Sequence, residues 1–187
     1  YDGTRRDIPL PPAARLYERL VAGHGVCVAP NDDKVVVVNG DSTRLVSVGW
    51  YSGCAIDARS IVVADDIKPM FTCIDIASGE PRWQVTPPVE KSALGRSYRL
   101  ACLRIVDDAM YAIAEHGLVE QLDMQTGAVR FSATLKLTKA ESLSGSTLEP
   151  TFAFAERGLV AVPRRHGGKA SKAFFVDGKT GEVEALA

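Results

Sequence analysis

One short frame occurs three times in this chain, and it leaves little freedom in the choice of fold. Residues 71–83 read Phe-Thr-Cys-Ile-Asp-Ile-Ala-Ser-Gly-Glu-Pro-Arg-Trp, residues 119–131 read Val-Glu-Gln-Leu-Asp-Met-Gln-Thr-Gly-Ala-Val-Arg-Phe, and residues 173–185 read Ala-Phe-Phe-Val-Asp-Gly-Lys-Thr-Gly-Glu-Val-Glu-Ala. Each time an apolar stretch meets an aspartate (Asp75, Asp123, Asp177) and Ser or Thr follows three positions later. A glycine comes next (Gly79, Gly127, Gly181), and the apolar or aromatic position stands four further on. The glycines are 48 and 54 residues apart, near the length of one four-stranded propeller blade.

The chemistry of the frame is that of a hairpin. Aspartate accepts hydrogen bonds from main-chain N–H groups two residues on, and glycine supplies the positive φ that closes the turn. Trp83 and Phe131 then fall on the returning strand, where an aromatic ring packs between neighbouring sheets. A second turn precedes each frame, at 31–34, 57–60, 107–109 and 156–158, and each is followed by a β-branched or apolar strand at 35–38, 61–64, 110–114 and 159–162. A weaker copy, Leu45 to Gly53, keeps Ser-Gly and lacks the aspartate. Only about five residues separate Gly53 from the turn near Ala58, so the first two blades are expected to be truncated or merged, and the pattern reads about three and a half times.

Leu122-Asp123-Met124-Gln125-Thr126-Gly127-Ala128-Val129-Arg130-Phe131 resembles the repeat of pyrroloquinoline-quinone-like (PQQ-like) β-propellers, Ala-x-Asp-x-x-Thr-Gly-x-x-x-Trp. The resemblance covers about residues 25–187. Trp83 keeps the aromatic as Trp, Phe131 substitutes for it, and Ala185 drops it. The resemblance implies an all-β fold, a PQQ-like β-propeller or partial propeller of about four blades. It implies no single activity, because that family includes quinone enzymes, assembly lipoproteins, sensor ectodomains and plain scaffolds. Its dehydrogenases use an eight-bladed ring, a Ca²⁺-binding Glu-Asn-Asp set and commonly a vicinal disulfide, and none of these maps residue by residue onto this chain.

Residues 1–24 differ in kind. Ile8-Pro9-Leu10-Pro11-Pro12 suits an extended arm, and 13–22 place Leu16 and Leu20 on one helical face ending at Gly23, so an N-terminal arm and short helix are expected ahead of propeller repeats over 25–187. The chain starts in a polar segment and stops just after a Thr-Gly turn. The expectation is a unit completed by something else, with the arm or a neighbouring chain supplying a closing strand.

Charge and composition narrow the partners. A net charge of −1 gives no global field toward nucleic acid, and no apolar run approaches the roughly 18 residues of a membrane span. Cys27, Cys54, Cys73 and Cys102 form no Cys-x-x-Cys pair and lie in apolar surroundings, as small hydrophobes do; three disulfide pairings also remain open. His24, His116 and His166 lack metal-ligand spacing, and the Asp32-Asp33, Asp65-Asp66 and Asp107-Asp108 doublets lack that of a Ca²⁺ loop and sit where turns need aspartate.

The densest basic stretch, Arg164, Arg165, His166 and Lys169, falls between two strands and reads as an anion or partner contact, or as an ordinary solvated turn. No catalytic, cofactor-binding or metal residue is assigned, and Asp75, Gly79, Trp83, Asp123, Gly127, Phe131, Asp177 and Gly181 are assigned as structural. The function read from this is a non-catalytic scaffold or protein-binding module, with no cofactor, whose partner is another protein or further blades of the same polypeptide. The alternative is a ligand-binding or quinoprotein-type catalytic propeller completed by blades absent from this chain.

Overall fold

The computed structural model describes residues 21–31, 33–49, 51–65, 70–86, 99–138, 141–143, 152–165 and 172–186. The chain divides into two compact units, Tyr1–Gln84 and Val85–Ala187. Every regular element among the described residues is a β-strand.

In the first unit, β1 (Val21–Gly23), β2 (Val26–Asn31), β3 (Lys34–Asn39) and β4 (Ser42–Ser47) form an antiparallel meander. A second meander follows from β5 (Tyr51–Ile56), β6 (Ser60–Asp65), β7 (Phe71–Asp75) and β8 (Pro81–Val85). Central strands carry continuous apolar runs because both of their faces are covered. All six residues of β6 are buried, as are Val35, Val36 and Val37 of β3, whereas β4 alternates and β8 is mostly exposed. The core lies between the two sheets: Val28, Val35 and Val37 of the first meet Ile61, Val63 and Ile74 of the second. Burying each such side chain contributes roughly 1.5–3 kcal/mol.

The second unit repeats the plan. One sheet runs through β9 (Leu100–Val106), β10 (Ala109–Ala114), β11 (Leu118–Asp123) and β12 (Val129–Thr134). A two-residue ribbon pairs β13 (Glu141–Ser142) with β16 (Arg164–Arg165). The other sheet is β14 (Phe152–Ala155), β15 (Gly158–Ala161), β17 (Phe174–Asp177) and β18 (Val183–Ala185). Tyr111, Ile113 and Val119 pack with Leu159, Phe174 and Val176, and Phe131 and Phe154 close the cluster. Tyr111 meets both rings edge-on, with centroids 6.5 Å from Phe131 and 5.4 Å from Phe154.

Three expectations are corrected. The helix expected over 13–22 does not reach its C-terminal end as drawn, because Val21 and Ala22 belong to β1 and pair with Val28 and Cys27; residues 1–20 lie outside the described residues. The weaker copy at 45–53 is not a hairpin. Leu45, Val46 and Ser47 finish β4, the N–H groups of Val48 and Gly49 fold back onto the Asp33 carbonyl at 3.1 and 3.0 Å, and Gly53 lies inside β5. The third–fourth strand turn of the first sheet is instead Gly40-Asp41, flanked by the Asn39–Ser42 pair. The strand at 35–38 is thus the third of its sheet, and both early sheets are complete rather than truncated or merged.

Candidate functional site

At one end of each sheet that carries the frame, aspartate, hydroxyl and glycine build the same turn. Asp123 Oδ1 accepts from the N–H groups of Gln125 and Thr126, both at 2.9 Å, and from Thr126 Oγ1 at 3.0 Å; Thr126 Oγ1 in turn accepts from the Ala128 N–H at 3.2 Å. Asp177 does the same with Lys179, Thr180 and Glu182, and Asp75 with Ser78 and Glu80. Gly79, Gly127 and Gly181 all hold φ at 74°, a left-handed value that favours glycine. Hydrogen bonds to the charged form lower an acid's pKa. The backbone N–H groups of Ser78 and Thr180 hold Asp75 and Asp177 below the usual carboxylate range, and Asp123 falls to about 2 under Arg130 and the Thr126 N–H.

Adjacent sheets meet through one side chain set over the next turn. Phe131 covers Gly181, where a Cβ would lie 2.7 Å from the ring. In the first unit the same register position is Arg44, opposite Val37 as Phe131 is opposite Gln121, and it covers Gly79. Its Nη1 donates to the carbonyls of Ala77, at 3.4 Å, and Ser78. Trp83 is half-buried on β8, and Ala185 is exposed on β18. A buried polar contact reinforces the second junction: Gln121 Nε2 donates to Tyr111 Oη at 2.6 Å and to the Gly178 carbonyl at 2.9 Å.

The arginines of these turns fall into two contrasting sets. In the second unit Arg130 closes on two carboxylates, with Nη2 2.7 Å from Asp108 Oδ2 and 2.6 Å from Asp123 Oδ2. In the first unit the equivalent positions are Arg82 for Arg130, Asp75 for Asp123 and Arg59 for Asp108. The Ile76 N–H bonds the Arg59 carbonyl at 2.9 Å just as the Met124 N–H bonds that of Asp108 at 3.0 Å. Arg82 Nη1 reaches Ser60 Oγ at 3.0 Å, and neither Arg59 nor Arg82 is ion-paired among the described residues. An open cavity of about 460 Å³ lies there, lined by Asn39, Ala58, Arg59, Asp75, Ile76, Ala77 and Arg82. Sequence reading passed over Arg59 and Arg82, because what brings them together is strand pairing and not spacing.

The other candidates stand apart from this end. Arg164 and Arg165 form strand β16, and His166 and Lys169 lie outside the described residues. The segment connects the second and third strands of its sheet, at the end opposite the Asp177 turn. None of the four cysteines forms a disulfide, and burial raises the pKa of Cys27 and Cys73 and pushes Cys102 up to about 11. Glu120 is fully buried on β11 with Oε1 3.4 Å from Ser132 Oγ and Oε2 without a hydrogen-bond partner, and burial raises its pKa to about 7.

No protein-family model matches the chain, and no curated protein resembles it in sequence. Solved structures do match. BamB from Moraxella catarrhalis aligns with a TM-score of 0.62 at 17% identity, over 90% of this chain and 49% of that one. Quinohemoprotein alcohol dehydrogenase ADHIIG from Pseudomonas putida HK5 gives 0.58 at 16% identity, over 88% and 33%. Hydrazine synthase from Kuenenia stuttgartiensis gives 0.57 at 13% identity, over 100% and 52%. The fold is a partial PQQ-type β-propeller. The chain spans about half or less of the structures it matches, and their differing names show one fold serving unlike tasks.

A quinone–Ca²⁺ centre, which this fold houses in some proteins, needs converging free carboxylates. Among the described residues no three His, Cys, Asp or Glu side chains come together to hold a metal ion, and the paired carboxylates of Asp108 and Asp123 already enclose a guanidinium. The described residues do not supply that set. No helix among the described residues is long and apolar enough to cross a membrane.

Proposed function

We propose that this chain is a non-catalytic propeller scaffold whose turns dock a protein partner, as part of a larger protein or complex. The observation that carries the reading is where the frame's reactive groups go. Oδ1 of each of Asp75, Asp123 and Asp177 is taken up by its own turn's N–H and hydroxyl groups, so the turns are held in shape. Rigid turns on packed sheets form a platform for recognition. The second reading, a ligand-binding or quinoprotein-type propeller completed by blades outside this chain, rests on the likeness to a quinohemoprotein alcohol dehydrogenase.

Photo-crosslinking amino acids at Ala77, Gln125 and Lys179, the exposed second residue after each frame aspartate, test the first reading in the native cell, with Asp33 and Lys136 as controls at the other end of their sheets. The expected result is one saturable protein adduct from the frame positions and none from the controls. No adduct, together with dye reduction by an alcohol after addition of pyrroloquinoline quinone and Ca²⁺, would replace it with the second.

A further inference from the structure

The contrast between the two arginine sets points to a ligand. In the second unit the chain displays what an arginine three residues after the turn glycine does there: Arg130 takes Asp108 through Nη1 at 3.1 Å and Nη2 at 2.7 Å, in the two-pronged geometry that suits a guanidinium and a carboxylate. In the first unit the position that supplies that carboxylate is Arg59. One reversal of sign converts a cluster of two carboxylates and one guanidinium into two guanidiniums and one carboxylate. Neither arginine is in an ion pair among the described residues, and the charge of Arg82 acts on Asp75 without closing on it. Asp75 Oδ1 is bonded to the N–H and hydroxyl of Ser78, and Asp57 Oδ1 to the N–H groups of Arg59 and Ser60 at 2.6 and 2.5 Å. Both arginines line the open cavity of about 460 Å³, whose other walls are Asn39, Ala58, Asp75, Ile76 and Ala77.

We propose that this notch is a carboxylate-docking site, in which Arg59 and Arg82 hold a Glu or Asp side chain of the protein partner in the place that Asp108 fills beside Arg130. The inference rests on the scaffold reading and names the chemistry of the partner's contact. Ser60 Oγ accepts a hydrogen bond from Arg82 Nη1 at 3.0 Å and so holds that guanidinium beside the start of β6.

The test is fluorescence anisotropy with the full chain and a labelled, C-terminally amidated Gly-Glu-Gly-Glu-Gly-Glu peptide, against the same peptide with Gln for Glu. The Glu peptide should bind and the Gln peptide should not, with affinity falling as salt rises. Arg59→Asp, which installs the Asp108 arrangement, should weaken binding about tenfold or more, and Arg82→Gln by a similar factor, while Lys136→Gln, at the other end of its sheet, leaves it unchanged. Arg59→Gln carries the same expectation if Arg59→Asp does not fold, with near-ultraviolet circular dichroism as the check on both. A Gln peptide with a free C-terminus separates a terminal carboxylate from a side-chain one, and the proposal expects it to bind more weakly than the Glu peptide. Equal binding of the Glu and Gln peptides, unchanged affinity in the folded Arg59 and Arg82 variants, or displacement by inorganic phosphate at lower concentration than by acetate would each overturn the proposal. Cross-links from Ala77, Gln125 or Lys179 without any preference for the acidic peptide would sink this inference and leave the scaffold reading standing.

Discussion

The ring of Phe131 occupies the space that a side chain on Gly181 would need, since a Cβ there would lie 2.7 Å from both Cγ and Cδ2. Two costs therefore meet at Gly181: the left-handed backbone, with φ at 74°, and the collision with a ring from the neighbouring sheet.

Gly181→Ala is expected to destabilise by about 1–3 kcal/mol, the range for a strained backbone position. In a double-mutant cycle Phe131→Ala should relieve the steric part and leave the conformational part, giving a favourable coupling between the two changes. Denaturant melts of the four proteins measure it, and strict additivity would mean that the ring does not press on the turn.

Arg130→Met releases Asp108 and Asp123. Both aspartates have folded-state pKa values below the ordinary one, Asp123 at about 2. A depressed acid contributes stability that is present above its unfolded pKa, about 3.9, and is lost as pH falls through the folded value. The variant should melt lower than the parent at pH 7, and the gap should narrow between about pH 4 and pH 2. A gap that stays constant across that window would count against the ion cluster.

Glu120 has the opposite sign. Burial raises its pKa from 4.5 to about 7, so the folded protein holds a neutral carboxylic acid where the unfolded chain ionises. Its stabilising share is complete below about pH 4.5 and is lost as pH rises through about 7. Glu120→Gln should raise the melting temperature at pH 8 by a few degrees and change it little at pH 4.5. Parallel pH profiles of parent and variant would show that Glu120 does not titrate in this range.

Gln121→Leu leaves the Gly178 carbonyl and the Tyr111 hydroxyl without their buried donor. The cost should be about 1–3 kcal/mol, that of an unsatisfied buried polar group. Amide exchange would be expected to rise on both sides of the junction, at Tyr111 on β10 and at Val176 on β17, and not on β14, which lacks that contact.

The frame was legible because its chemistry is local: an aspartate, a hydroxyl and a glycine within five residues close a turn whatever surrounds them. The first sheet was not legible. Its turn is Gly40-Asp41 with no frame aspartate, and Arg44 stands where an aromatic was sought. Val21 and Ala22 read as helix because Leu16 and Leu20 carried the period, while their pairing with Val28 and Cys27 is a contact across a turn at His24 and Gly25 that periodicity does not see. Arg59 lies in the turn that enters β6 and Arg82 on β8, so only the register of β6, β7 and β8 unites them. The basic run at 164–169 stands out in the sequence because Arg164, Arg165, His166 and Lys169 fall within six residues. Its first two residues prove to be a strand paired with Glu141 and Ser142.

Arg44 over Gly79 and Phe131 over Gly181 solve one geometric problem with two kinds of force. The aromatic seal is driven by release of water from apolar surface and weakens as the temperature falls. The guanidinium seal depends on hydrogen bonds to the carbonyls of Ala77 and Ser78, and it lacks that dependence. A single chain thus carries one joint that loosens in the cold and another that does not.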